Sequence, residues 1–138
     1  MWHAEHTLET TAPPEAIWRC WADPATWTDW DAGLDWVRMA GPLKPGNGGT
    51  LKRQGASSLV FTIAQVEEGR SFTLVARRAF SSLCLVHRLE PSPLGTRVTH
   101  RLEVKGPMAW WYHLTQGRRF RESLPPAVRM LARVAHRG

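Results

Sequence analysis

From Pro107 onward the apolar residues of this chain return at steps of three and four, whereas between residues 34 and 104 they return at every second position in short runs. Those two periods belong to a helix stripe and to a strand face. A chain that divides itself this way must lay a sheet against a helix to hide both apolar surfaces. The alternating runs are Leu34 to Ala40, Thr50 to Gln54, Leu59 to Val66, Ser71 to Arg78, Ser82 to Leu89 and Thr96 to Val104. Turn chemistry separates them: a Gly/Pro-rich loop over residues 41–49, Glu67-Glu68-Gly69, and residues 90–95 with Pro91, Pro93 and Gly95.

The start of the chain adds a seventh strand. Trp2, Ala4, His6, Leu8 and Thr10 fall on one face and His3, Glu5, Thr7 and Glu9 on the other. Ala12-Pro13-Pro14-Glu15 ends it and opens a helix, since proline is tolerated in a first helical turn and an acid suits the positive end. Ile17, Cys20 and Trp21 give that helix a stripe, and Asp23-Pro24 caps and starts a second short helix bearing Trp27 and Trp30. In the terminal segment Trp110, Leu114, Gly117, Arg121, Leu124, Val128, Leu131 and Ala135 form the stripe, and Pro125-Pro126 is expected to kink or restart the helix. The expected fold is α+β: a seven-stranded antiparallel sheet curved around a long C-terminal helix, with two short helices between strands 1 and 2. A curved sheet on one helix leaves a space between them.

With 138 residues the chain is expected to be one domain, residues 1–138. Its 43% apolar and 22% charged content fits a globular chain, and no apolar run approaches the roughly 20 residues of a membrane span. The start, MWHAEHTLET, lacks a secretion-signal layout, and Cys20 and Cys84 are too few for a disulfide framework, so a cytoplasmic protein with free thiols is expected. The first 104 residues balance in charge. The whole excess of +6 lies in residues 105–138, where Lys105, Arg118, Arg119, Arg121, Arg129, Arg133 and Arg137 face Glu122 alone.

APPEAIW (residues 12–18), DPATWTDWD (23–31), the Gly/Pro-rich loop, VEEGRSFTL (66–74), HRLEP (87–91) and GTRVTHRLEV (95–104) occur in an order that resembles the START-like (SRPBCC) superfamily, polyketide cyclase/dehydrase-like family. The resemblance covers essentially the whole chain. It implies a helix-grip fold and an apolar or amphipathic small molecule bound in the cavity under the terminal helix. It brings no shared catalytic set, so no catalytic residue is carried over.

The residues themselves offer candidates. His87 shares a face with Leu83, Leu85 and Leu89, and His100 with Val98 and Leu102; inward faces would bring both imidazoles to the cavity, with His6 beside them. A neutral histidine there acts as acid or base or orients a ligand hydroxyl, and a hydrogen-bonded core histidine is the plain alternative. Arg53, in phase with Leu51, is a candidate to hold a carboxylate or enolate oxygen, and Arg38, in phase with Leu34 and Trp36, is a second. Trp30, Trp36, Phe61 and Trp111 line an aromatic pocket or pack a core, and Leu85 and Leu114 join them. Gly117 leaves room on the helix's inner face. Asp29, Asp31 and Asp35 read as a solvated loop. Histidine spacing offers no metal site, and no cofactor motif is present.

Three readings follow. The first is a binder of an apolar or aromatic, lipid- or polyketide-like molecule. The second is a cyclase/dehydrase-type enzyme using His87 or His100. The third is an interaction module acting through its basic helix. The expected partner is a small molecule and not nucleic acid, with contact to an anionic surface as a secondary role and a monomer or homodimer as the assembly.

Overall fold

The computed structural model describes residues 2–78, 81–107 and 118–137. Its elements are β1 (Trp2–Thr10), α1 (Pro14–Ala22), a 3-10 turn (Pro24–Thr26), α2 (Trp27–Trp30), β2 (Leu34–Met39), β3 (Gly48–Arg53), β4 (Leu59–Glu67), β5 (Ser71–Arg78), β6 (Ser81–Pro91), β7 (Thr96–Lys105) and α3 (Arg118–Arg137). The strands make one seven-stranded sheet ordered β1-β7-β6-β5-β4-β3-β2. Every pairing is antiparallel. Strands β2 to β7 are successive neighbours, and β1 joins beside β7 with Trp2 opposite Val104 and Thr10 opposite Thr96. The sheet curls into a half-barrel. Helix α3 packs against β1, α1, α2 and β7.

The alternation of β1 works as expected: Ala4 and Thr10 are buried, Trp2, His6 and Leu8 half-buried, and the intervening residues exposed. On the wet side Glu5 and Glu9 lie opposite Arg101 and Arg97 and accept their guanidinium hydrogens at 2.9 Å. Exposed pairs of this kind contribute on the order of 0–1 kcal/mol each, so apolar burial on the other face holds the strand.

In α1 the Ala16 amide donates to the Pro13 carbonyl at 3.0 Å, and Ala16, Ile17, Cys20 and Trp21 are buried. The second short helix starts later than expected. Asp23 caps a 3-10 turn by accepting from the Ala25 amide at 3.2 Å, and α2 begins only at Trp27. The Thr26 hydroxyl pins this turn, with the carbonyls of Cys20 and Asp23 at 2.7 and 2.8 Å. The buried Trp27 indole then donates to the Trp21 carbonyl at 3.0 Å, tying α2 to the end of α1.

Two expectations are corrected here. The phase running Leu34, Trp36, Arg38 is broken by an irregularity between Leu34 and Trp36. Beyond it Val37 sits opposite Leu51 and Met39 opposite Gly49, and these two pack on the core. Trp36 and Arg38 turn to the outer side, where the Arg38 guanidinium lies 5.1 Å over the Trp36 ring. At Gly49 any side chain would strike the Arg38 carbonyl, so the strands meet closely there. The second correction concerns one of the two outcomes expected at Pro125 and Pro126, the restart, since α3 runs through both as one helix. Neither proline has an N–H to offer the carbonyl four residues before it, and Arg121 and Glu122, which stand at those positions, are exposed. Meanwhile Leu124, Ala127, Val128, Leu131 and Ala135 are buried and hold the helix by tertiary contact.

No described helix is long and apolar enough to cross a membrane. Both cysteines are free, Cys20 buried and Cys84 half-buried, and burial raises both thiol pKa values.

Candidate functional site

One row of the sheet carries the site. Register places Phe72 of β5 opposite His87 of β6, His87 opposite His100 of β7, and His100 opposite His6 of β1. All four point to the concave face because they share the parity of Leu74, Leu85, Leu102 and Ala4 in the next inward row. The His87 ring stacks on Phe72 at 4.0 Å between centroids, and the two imidazoles meet edge-on at 4.7 Å. Helices α1 and α2 close the row from above. Trp21 lies 5.5 Å from His87 and 5.7 Å from His100, and Trp30 lies 5.6 Å from His100.

Burial sets the chemistry of these imidazoles. His87 is 8% exposed and His100 3%. Loss of water, and then the neighbouring His100, hold the His87 pKa well below its ordinary 6.5, outweighing the pull of the Phe72 and Leu85 backbone. Burial lowers His100 to about 4; Asp31 pulls it up and His6 pushes it down. His6, nearer the edge, is lowered by burial and then by Arg129. Both buried imidazoles are therefore neutral at pH 7, each with one donor and one acceptor nitrogen. Nevertheless His87 Nδ1, His100 Nε2 and the indole nitrogens of Trp21 and Trp30 are buried without a hydrogen-bond partner. Buried polar atoms are nearly always paired, so four orphans in one cluster are unusual.

A cavity of about 50 Å³ lies against this row. Its polar liners are His87, His100, Trp30, Asp31 and Arg53. Its apolar liners include Trp27, Leu34, Leu51, Leu74 and Leu85 from below and beside, with Leu124 and Ala127 from α3. Arg53 and Asp31 form a two-pronged ion pair: Nη1 donates to Oδ2 at 2.8 Å and Nη2 to Oδ1 at 3.2 Å, with side chains 18% and 15% exposed. The Gly33 amide also donates to Asp31 Oδ1 at 3.2 Å.

The structure thus brings Trp30, Arg53, Leu85, His87 and His100 to one cavity. It does not bring Trp36, which the irregularity in β2 turns outward. Phe61 is 1% exposed, packs 6.4 Å from the Trp27 ring and belongs to the closed core beside the cavity. His6 extends the histidine row toward the edge without lining the cavity. Trp111, Leu114 and Gly117 lie outside the described residues. Asp31 is corrected: it is a partly buried partner of Arg53 instead of a solvated loop residue, which also means that Arg53 meets a carboxylate of its own chain. Trp27 was missed; its placement on the one-turn α2 beside Trp30 was the available signal. Among the described residues no three His, Cys, Asp or Glu side chains are grouped to hold a metal ion.

Comparison with known proteins agrees with this architecture. A family model described as polyketide cyclase / dehydrase and lipid transport matches residues 1–135. The crystal structure of protein NE0264 from Nitrosomonas europaea superposes with a TM-score of 0.75 at 16% identity, covering 98% of this chain and 94% of that one. Ara h 8.0201 superposes with a TM-score of 0.70 at 11% identity, covering 99% of each chain. Both likenesses are of fold, the START-like helix-grip fold. No curated protein matches the sequence.

Proposed function

The chain belongs to the polyketide cyclase / dehydrase and lipid transport family, and on that premise we propose that it takes up a small apolar or aromatic molecule between the sheet and α3, with the molecule's polar end against His87 and His100. One observation carries this reading: His87, His100 and Trp30 line one cavity whose other walls are mostly apolar, and each holds a buried ring nitrogen with no hydrogen-bond partner, Nδ1, Nε2 and Nε1 respectively. An apolar enclosure with a few convergent polar groups is the usual form of a small-molecule site. An unpaired buried polar atom costs about 1–3 kcal/mol, which a guest or water relieves.

The cavity's 50 Å³ holds a few waters. It is well below the roughly 300 Å³ of common ligand sites, so uptake moves lining side chains outward. Much of the space expected under the helix is filled by Trp21, Trp27 and Phe72. The histidine pair also fits a cyclase-type acid–base role. However, an efficient general base has its pKa near the working pH, and burial drives both imidazoles below that range, which favours holding a ligand over moving its protons.

Native mass spectrometry of the purified protein tests the reading. A co-purified small molecule that leaves on collisional activation is expected, together with enhanced emission of the neutral probe N-phenyl-1-naphthylamine that the released molecule suppresses. A bare protein mass with no change in probe emission would defeat the proposal.

A further inference from the structure

The cavity's charges cancel. Arg53 and Asp31 are the full charges on its described wall, and they face each other through two hydrogen bonds at 2.8 and 3.2 Å. The two histidines deeper in the wall are neutral. Three residues of the wall also hold buried nitrogens without a hydrogen-bond partner: the Trp30 indole, which can only donate, and one imidazole nitrogen each on His87 and His100, whose roles follow their tautomers.

We infer that the buried end of the guest is an uncharged hydroxyl, and that Trp30, His87 and His100 select it over a carboxylate or a bare hydrocarbon. This deepens the binding reading above and rests on it. A hydroxyl accepts twice and donates once. That matches an indole N–H, one imidazole N–H and one bare imidazole nitrogen, an assignment open to the pair because each neutral ring chooses its tautomer through its other nitrogen. A hydrocarbon end leaves all three atoms unpaired. A carboxylate brings a buried charge to a wall whose one cation is already engaged, and it has to displace Asp31 to reach Arg53. The small volume also favours a single polar atom over the two oxygens of an acid group.

Three matched single-ring probes, read by fluorine NMR at pH 7, decide the matter: 4-fluorophenol, 4-fluorotoluene and 4-fluorobenzoate. The phenol is expected to bind at least tenfold more tightly than the toluene, and the benzoate more weakly than both. Asp31→Asn, which removes the charge opposing Arg53, is expected to narrow the phenol-to-benzoate ratio at least tenfold; the wild-type series stands alone as a test should that variant not fold. Equal affinity for phenol and toluene, or benzoate binding as tightly as phenol, overturns the selection of a hydroxyl and leaves apolar uptake standing. No binding by any probe also overturns it, and a co-purified molecule in the mass spectrum then shows separately whether the broader reading survives.

Discussion

Replacing His100 by leucine should remove most of one titration from the stability of this fold. In the folded chain His100 has a pKa of about 4, against an ordinary value of 6.5 for an exposed histidine. Above pH 6.5 neither state binds the proton and the group contributes no pH dependence. As pH falls from 6.5 toward 4 the unfolded chain takes up a proton that the folded chain refuses, so stability drops; below 4 both states are protonated and the slope from this group ends. The shift from 6.5 to 4 corresponds to a loss on the order of 3 kcal/mol between pH 7 and pH 4. His87, lowered for the same reason, adds to the loss in the same direction. Urea denaturation at pH 7, 6, 5 and 4 gives the profile directly. His100→Leu should flatten it by about 3 kcal/mol, and at pH 7 should cost little, since leucine is of similar size and removes an unpaired nitrogen. A variant whose profile stays parallel to that of the wild type would refute the reasoning, because it would mean the folded chain accepts the proton at His100 as readily as the unfolded one.

Three further outcomes follow from contacts described above. Trp27→Phe strips the Trp21 carbonyl of its buried donor and should destabilise by about 1–3 kcal/mol in urea melts, with the change in intrinsic fluorescence marking the loosened α2. Asp31→Asn leaves Arg53 partly buried beside a neutral amide and should cost about 1–3 kcal/mol; adding Arg53→Met should recover part of that loss, and strict additivity in the double-mutant cycle would show the pair to be uncoupled. Pro126→Ala, at an exposed position inside α3, replaces the residue an α-helix interior tolerates least by the one it favours most and should stabilise by about 1–3 kcal/mol, seen as a higher melting temperature.

Much of this was readable in the residues because periodicity reports which way a strand faces. The alternation of β1, of His87 with Leu83, Leu85 and Leu89, and of His100 with Val98 and Leu102 placed the histidines on the concave face. That they stand directly opposite each other depends on register, which the turns and bulges of several strands set together. Trp36 shows the limit: one irregular residue after Leu34 reverses every later side chain in β2, and nothing local in LDWVRM announces it. The Asp31–Arg53 pair joins positions 22 apart through the folded geometry alone, so a sequence containing many acids and arginines gave no reason to couple those two. The size of the cavity likewise follows from indole orientation, which is a matter of packing and not of pattern.

The pairing of β1 with β7 has a consequence for synthesis on the ribosome. Trp2 finds Val104 only after about a hundred residues have been translated, so the first strand emerges long before the strand it pairs with, β7, exists. Until then the half-apolar ribbon of Trp2, Ala4, His6 and Leu8 waits with an unpaired backbone, and such ribbons are where nascent chains associate with one another. Slowing elongation across the later strands would prolong that wait, and yield in the cell should respond to it more than the equilibrium stability of the finished domain does.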